Sequence, residues 1–150
     1  MVEINNTTAQ KINLAKTKKI AEEFLRVYKK SAWEVSAAIV GASRIRKLND
    51  DYRGLNKVTD VLSFSGDATS SAASEKNRQN KYLGEVIINI EEIKKASKYL
   101  EVFGEKKSAD YIFYFLLVHG LLHLVGYEDE AENDWQKMIK LGTKFLEKYL

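Results

Sequence analysis

Residues 111–125, YIFYFLLVHGLLHLV, form the longest apolar run of the chain. These fifteen residues fall short of the roughly 20 that a helix needs to cross a bilayer, and they include two histidines and a glycine. The run therefore predicts a buried core helix rather than a membrane span. We expect Ser108 to cap its N-terminus and Gly126 to end it.

The segments around this helix indicate a mixed fold. Runs rich in β-branched and aromatic residues predict strands at 2–6, 33–40, 58–64 and 82–90. Helical spacing of apolar residues predicts helices at 16–31, 43–52, 91–103 and 130–149, the second capped by Ser43 and the third closed by Gly104. Residues 66–80, GDATSSAASEKNRQN, have no periodicity and predict a mobile loop. We expect a single α+β domain over residues 1–150, with a small mixed four-stranded sheet and about five helices.

The composition excludes several classes of site. The chain contains no cysteine, which rules out disulfides, thiolate metal sites and a cysteine nucleophile. With only two histidines, any zinc site must use both of them or use carboxylates. The polar N-terminal sequence MVEINNTTAQ does not resemble a signal peptide, so we expect a cytoplasmic protein.

Charge is distributed unevenly along the chain. Residues 1–81 hold fifteen cationic and nine acidic side chains, whereas residues 82–150 hold nine and twelve. A basic N-terminal part is compatible with contact to a polyanion. Taken alone, however, the pattern favours ordinary solvated helix faces.

The strongest chemical signal is VHGLLHLVGYEDE, residues 118–130. His119 and His123 lie four residues apart, so a helix places both imidazoles on one face, within reach of one Zn²⁺. Gly126 allows the chain to turn back, and Asp129 can then face the same ion. The spacing matches the zinc pattern H-x-x-x-H-x-x-G-x-x-H, with Asp129 at the third ligand position. Gly120 stands where zinc proteases carry their glutamate base.

Two simpler interpretations compete with a metal site. The histidines could be core residues bonded to the backbone, although two buried imidazoles at this spacing favour a shared metal. Asp129 could be an acid in the first turn of the last helix, where it would stabilise the helix dipole. Glu128 or Glu130 could then replace it as a ligand.

A second stretch, LNDDYRGLNKVTDVLSF at 48–64, contains Arg53 in what we interpret as a connecting loop. A guanidinium can hold a phosphate with two parallel hydrogen bonds. On this stretch alone, a surface arginine without such a role is the favoured interpretation.

Four segments together resemble the bacterial YbeY family. They are HGLLHLVGY at 119–127, TDVLSF at 59–64, LNDDYRG at 48–54 and LGEVII at 83–88, and they occur in the family's order and spacing. The resemblance covers nearly the whole chain from residue 16 onward. It implies a small α/β domain with a zinc site of three histidines. It also implies a single-strand-specific endoribonuclease needed for ribosomal RNA maturation, notably at the 3′ end of small-subunit rRNA, and for ribosome quality control.

The resemblance also assigns roles to individual residues. It implies one Zn²⁺ bound by His119, His123 and Asp129, and a catalytic Arg53. The family usually has GYDH where this chain has GYED at 126–129, so an aspartate replaces the third histidine.

The expected partners are a single-stranded rRNA precursor and the ribosome or small-subunit assembly factors, with no membrane. Four basic residues near Arg53 are predicted to line the RNA path: Arg44, Arg46, Lys47 and Lys57. Two alternatives remain. One is a metal-dependent hydrolase of another substrate, such as a small ester or peptide. The other is a ribosome-associated binding protein whose catalysis is weakened or lost with the third histidine.

Overall fold

The computed structural model of the chain describes residues 1–66 and 81–150, so the loop predicted at 66–80 lies outside the described residues except for Gly66. The described residues form four strands, five α-helices and a 3₁₀ turn at Glu92–Lys94. The strands are β1 (Val2–Asn6), β2 (Glu34–Val40), β3 (Val61–Ser65) and β4 (Tyr82–Asn89). The helices are α1 (Leu14–Val27), α2 (Ala42–Arg53), α3 (Ala96–Phe103), α4 (Ala109–Leu124) and α5 (Glu132–Tyr149). None of these helices combines the length and apolar character that crossing a bilayer requires.

The strands form one mixed sheet in the order β1-β2-β4-β3. The pairs β1–β2 and β2–β4 are parallel, whereas β3 runs antiparallel to β4. The predicted α+β class with a small mixed four-stranded sheet and about five helices is thus confirmed within the described part of the chain.

Helix α4 lies at the centre of the core. Every residue from 112 to 122 is buried, and α4 packs against α1, α5 and one face of the sheet. Side chains alternate along a strand, so Val86 and Ile88 of β4 contact this core while Ile87 faces the other way. Ile87 packs with Ile45 of α2 in a second, smaller core on the opposite face. Helices therefore cover both faces of the sheet.

The ends of α4 agree with the sequence prediction. The Ser108 hydroxyl accepts a hydrogen bond from the Tyr111 backbone N–H at 3.1 Å, which satisfies one free N–H at the helix N-terminus. The helix ends at Leu124, two residues before Gly126. Gly126 has φ 108°, a conformation open mainly to glycine, and it turns the chain away from the helix axis.

The predicted start of β3 and the predicted end of α1 were wrong. Strand β3 begins at Val61 rather than at residue 58. The Asn89 amide donates to the Thr59 carbonyl at 3.1 Å, and the Asn89 backbone N–H donates to the Asp60 carbonyl at 2.8 Å. Helix α1 ends at Val27 rather than at residue 31, and Lys29 adopts a left-handed φ of 59° just beyond it.

The predicted cap of α2 was also wrong. The helix begins at Ala42 after Gly41, not with a cap from Ser43. The carboxylate of Glu91, which follows β4, accepts the Ala42 N–H instead. A residue distant in sequence thus supplies the N-terminal acceptor that Gly41 cannot.

The helix predicted at 91–103 is broken at Lys95, where φ is −85° and ψ is 72°. A straight helix would place Ile93 and Tyr99, six residues apart, about 120° apart around its axis. The break lets both side chains enter the main core. The last helix begins at Glu132 rather than at residue 130, with Ala131 at its N-cap position.

Candidate metal centre

The two histidines of α4 lie one helical turn apart, as their spacing predicts. Their ring centroids are 4.9 Å apart, and the ring planes are nearly perpendicular, at 85°. His119 is buried, with 8% of its surface exposed, and its ring stacks on Phe115. His123 is only partly buried. One imidazole is thus held within the core while the other lies closer to solvent.

The turn at Gly126 returns the chain so that Asp129 faces both rings. Asp129 Oδ2 lies 3.1 Å from His119 Nε2 and 3.2 Å from His123 Nε2. The potential ligand atoms of these three residues all lie within 4.8 Å of one another. The interpretation of Asp129 as a first-turn helix acid is wrong, because α5 begins only at Glu132.

Glu128 and Glu130, the alternative ligands, do not join this group among the described residues. Both side chains are exposed. Glu128 lines a separate surface pocket together with Asp134 and Lys137. Of the three neighbouring acids, only Asp129 faces the histidines.

Hydrogen bonding fixes the protonation pattern of His123. Its Nδ1 lies 3.0 Å from the Tyr127 carbonyl oxygen, which can only accept, so Nδ1 carries the proton. In the neutral ring, Nε2 then presents a lone pair to the Asp129 carboxylate. A lone pair and an anionic oxygen 3.2 Å apart require a cation between them or a second proton on the ring. The donor set of two imidazole nitrogens and a carboxylate oxygen therefore fits a Zn²⁺ ion, and the Tyr127 carbonyl orients one of the donors.

Burial lowers the pKa of His119, and the neighbouring His123 lowers it further, against the opposing effect of Asp129. A lowered pKa favours the neutral imidazole, which is the form that binds metal. The Nδ1 atom of His119 is buried and has no hydrogen-bond partner among residues 1–66 and 81–150. The His119 ring is therefore stacked on Phe115 and is not oriented by a second hydrogen bond within the described residues.

The glycine between the histidines is required by packing. A Cβ atom at Gly120 would lie 2.5 Å from Val86 Cγ1 and 3.2 Å from Ser63 Oγ. The Gly120 carbonyl also accepts a hydrogen bond from Ser63 Oγ at 3.0 Å. Helix α4 thus lies directly on the sheet at this point, with no room for a side chain. The glutamate base of zinc proteases could not be accommodated here, which disfavours a protease of that type.

A cleft of about 340 Å³ connects this cluster with Arg53. Arg53 is the last residue of α2, immediately before Gly54 with φ 69°, and not part of a loop as the sequence suggested. The tertiary structure nevertheless brings it to the cleft that contains His119, His123 and Asp129.

The other four predicted RNA-contacting residues are exposed and do not line this cleft. Arg46 donates to the Asn56 side chain at 2.8 Å. Lys47 pairs with Asp51 at 3.4 Å, on the exposed surface of α2. Arg44 also lies on α2, and Lys57 lies in the segment between α2 and β3.

One wall of the cleft was missed by sequence reasoning. Asp60 precedes β3, and its Oδ2 accepts hydrogen bonds from the Tyr99 hydroxyl at 3.0 Å and from Lys98 Nζ at 3.4 Å. Tyr99 is almost fully buried, and burial together with Asp60 raises its pKa. Asp60 belongs to the TDVLSF segment, and this membership could have marked it as a candidate site residue. Nothing in the sequence, however, indicates that Asp60 contacts residues of α3.

Comparison with known proteins agrees with this architecture. The family model described as endoribonuclease YbeY matches residues 3–150. Endoribonuclease YbeY of Limosilactobacillus fermentum is 36% identical over 118 residues, which cover 76% of this chain and 72% of the relative. The Petrotoga mobilis protein of the same name is 33% identical over 144 residues, covering 95% and 90% of the two chains.

A solution structure of a Thermotoga maritima protein shows the same fold. Its TM-score is 0.62 at 21% identity, and the match covers 99% of this chain and 89% of that chain. The match of the family model over nearly all residues, together with relatives above 30% identity, establishes the family. The chain belongs to the endoribonuclease YbeY family.

Proposed function

We propose that residues 1–150 form a single catalytic domain, a zinc-dependent endoribonuclease that cleaves single-stranded RNA. The observation that carries the proposal is the convergence of His119, His123 and Asp129 in a cleft that Arg53 also lines. A cluster of metal-binding donors beside a guanidinium suits the cleavage of a phosphodiester, whose negative charge increases in the transition state. Membership of the endoribonuclease YbeY family supports the same activity.

One Zn²⁺ ion is the proposed cofactor, held by Nε2 of His119, Nε2 of His123 and a carboxylate oxygen of Asp129. When bound, zinc supplies Lewis acidity and lowers the pKa of water at an open coordination position. Asp129 takes the place of the family's usual third histidine and adds a negative charge to the site. The Tyr127 carbonyl holds His123 in the tautomer that leaves Nε2 free to coordinate.

Arg53 is the proposed catalytic residue contributed by α2. Its guanidinium can donate two parallel hydrogen bonds to the non-bridging oxygens of the scissile phosphate. It would bind the substrate and neutralise the charge that develops on those oxygens.

The remaining basic residues are proposed to guide the RNA backbone towards the cleft. Arg44, Arg46 and Lys47 lie on α2, and Lys57 lies in the segment that follows it. All four are exposed, which suits salt-dependent contact with phosphates.

We further propose a cytoplasmic role in ribosomal RNA maturation, at the 3′ end of small-subunit rRNA, and in ribosome quality control. The partners would be rRNA precursors and the ribosome or its small-subunit assembly factors. This proposal is supported by family membership and by the resemblance of the segments at 48–54, 59–64 and 119–127.

The experiment combines zinc analysis of the purified protein with cleavage assays on single-stranded and duplex RNA of the same sequence. We expect one zinc per chain, cleavage of the single strand, loss of cleavage on chelation and recovery when zinc is returned. His119→Ala should reduce bound zinc to background, and full zinc occupancy in that variant would contradict the ligand assignment.

Each alternative function has its own outcome in the same experiment. Zinc binding without RNA cleavage, together with turnover of a small ester or peptide, would favour another hydrolase. RNA binding without zinc or cleavage would favour a ribosome-associated binding protein. The absence of room for a glutamate at Gly120 already disfavours peptide hydrolysis by the zinc-protease mechanism.

A further inference from the structure

The side chain of Tyr52 is unusually exposed for an aromatic residue. It keeps 70% of its surface exposed near the C-terminal end of α2. No other aromatic side chain is exposed in the parts of the chain that the structure describes. Leaving a large aromatic surface in water forgoes the stabilisation that burial would provide. The folding of the described residues therefore does not fully explain why this side chain is exposed.

The ring is nonetheless held in place. Tyr52 packs against Phe64 of β3, with ring centroids 5.3 Å apart and planes inclined by 56°. Phe64 in turn packs on the smaller core formed by Val40, Ile45, Leu62 and Ile87. One side of the tyrosine is thus supported by a residue anchored in the fold, while most of its surface stays open. A ring fixed in this way loses little conformational entropy when a flat ligand stacks on it.

Tyr52 is also the chain neighbour of a cleft residue, because Arg53, which follows it on α2, lines the cleft. Phe64, which supports the ring, lies in β3 next to the cleft residue Ser63, but it packs on the opposite face of the sheet. The position of Tyr52 on α2 therefore places the ring next to the residue proposed to bind the scissile phosphate.

The net charge of the segment that carries the ring is suited to a polyanion. Residues 44–57 carry five cationic and two acidic side chains. An exposed aromatic ring among basic side chains is the combination that binds single-stranded nucleic acid, because bases stack on the ring while cations contact phosphates. A base-paired strand keeps its bases within the duplex stack and cannot offer a free base face.

We propose that Tyr52 is a stacking platform for an unpaired base next to the scissile phosphate, and that it contributes to the preference for single strands. This inference rests on the proposed endoribonuclease function and adds a binding determinant to it. Arg53 would hold a phosphate while the adjacent ring holds a base of the same strand.

The test uses purified, zinc-loaded protein and a short single-stranded 2′-O-methyl oligoribonucleotide that carries 2-aminopurine, a base whose fluorescence is quenched by stacking. Affinity and quenching are measured for the parent, Tyr52→Phe and Tyr52→Leu. Leucine keeps an apolar side chain over Phe64 but removes the flat ring. Leu14→Ala, at an exposed apolar position on α1, is the control for loss of exposed apolar surface.

We expect Tyr52→Leu to weaken binding by at least about fivefold, the lower end for one stacked base, and to abolish quenching. Tyr52→Phe and Leu14→Ala should match the parent. The effect of Tyr52→Leu should disappear on a strand with abasic sites, because only phosphate contacts then remain. Thermal melts of all variants establish that they are folded.

Two results would overturn the proposal. Unchanged affinity and quenching in Tyr52→Leu would show that the ring does not bind RNA and would favour contact with a protein partner instead. Equal losses in Tyr52→Phe and Tyr52→Leu would point to the hydroxyl group rather than to stacking. In either case RNA cleavage by the parent would keep the proposed function intact, whereas a parent that neither binds nor cleaves the single strand would refute both.

Discussion

Gly120 and Val86 approach so closely that a Cβ atom at position 120 would lie 2.5 Å from Val86 Cγ1. Val86 is fully buried in the central strand β4, so it has little room to move. We expect Gly120→Ala to destabilise the protein by about 1–3 kcal/mol through overpacking, despite the better helix propensity of alanine. Urea denaturation measures this change.

The matching double variant tests the cause. Val86→Ala creates space at the contact, so Gly120→Ala should cost less in that background, and the two changes should couple favourably in a double-mutant cycle. Gly142→Ala serves as a control, because its Cβ would meet the Phe115 ring at 3.2 Å, a milder contact. Purely additive effects at positions 86 and 120 would argue against the steric explanation.

Asp129 is expected to bind metal rather than to stabilise the fold. Asparagine keeps the size of the side chain, but its neutral carbonyl is a poor Zn²⁺ ligand. We predict that Asp129→Asn changes the free energy of unfolding of the metal-free protein by less than about 0.5 kcal/mol and clearly weakens zinc affinity. Titration with a competing zinc chelator measures the affinity.

Two further variants test the assignment of Asp129 as a ligand. Asp129→His recreates the family's usual ligand set and should hold zinc at least as tightly as the parent. Glu128→Gln removes a neighbouring exposed acid that lies outside the cluster and should leave zinc binding unchanged. Parent-like zinc affinity in Asp129→Asn would return Glu128 and Glu130 to consideration.

Arg53 should matter for RNA cleavage far more than for stability. Its side chain is exposed at the end of α2, where a cation contributes about 0.3–1 kcal/mol through the helix dipole. We predict that Arg53→Ala lowers the rate of RNA cleavage by at least about 100-fold, typical of losing a charged group that stabilises the transition state. Arg46→Ala, on the same helix but outside the cleft, should have a much smaller effect. Equal losses in the two variants would assign Arg53 to general RNA attraction instead.

The Tyr99 hydroxyl should limit stability at alkaline pH. Burial raises its pKa above the ordinary value of 10, with the adjacent Asp60 acting in the same direction. Above pH 10 the unfolded chain releases this proton while the folded chain keeps it. The contribution of the Tyr99 hydroxyl to the free energy of unfolding is therefore complete below pH 10 and is lost as the pH rises above it.

We predict that Tyr99→Phe lowers stability near neutral pH by about 1–2 kcal/mol, because Asp60 loses a donor, and that it flattens the alkaline decline. Denaturation measured between about pH 8 and 11 checks both effects. Tyr52→Phe, at an exposed position, is the control and should leave the pH profile parallel to that of the parent.

Glu91 should stabilise α2 from a distance. Its carboxylate accepts the Ala42 N–H at the first turn, where Gly41 offers no side-chain cap. Glu91→Ala should cost about 0.5–2 kcal/mol, the usual effect of losing an N-cap. Gly41→Ser in the Glu91→Ala background should recover part of the loss, because removing the Glu91 carboxylate frees the space next to Gly41. If Gly41→Ser does not recover stability, Glu91 stabilises the protein through other contacts and not as the N-cap of α2.

Local sequence determined the elements and part of the site. The apolar run at 111–125 predicts a core helix because burial on all sides requires apolar residues on all faces. The spacing of His119 and His123 follows from helical periodicity, and the turn at Gly126 follows from the freedom of glycine at φ 108°. Each of these inferences depends on residues within a few positions of one another.

Tertiary structure alone decided which distant groups meet. The sequence left Asp129, Glu128 and Glu130 as alternative ligands, because their ranking depends on the path of the turn and on the start of α5. It placed Arg53 in a loop, although Gly54, a typical residue just beyond a helix end, directly follows Arg53 and α2 ends there. The contacts of Asp60 with Tyr99, and of Glu91 with Ala42, join residues 39 and 49 positions apart. Such pairs form because packing of the helices against the two faces of the sheet fixes the elements in space, and no local periodicity encodes that arrangement.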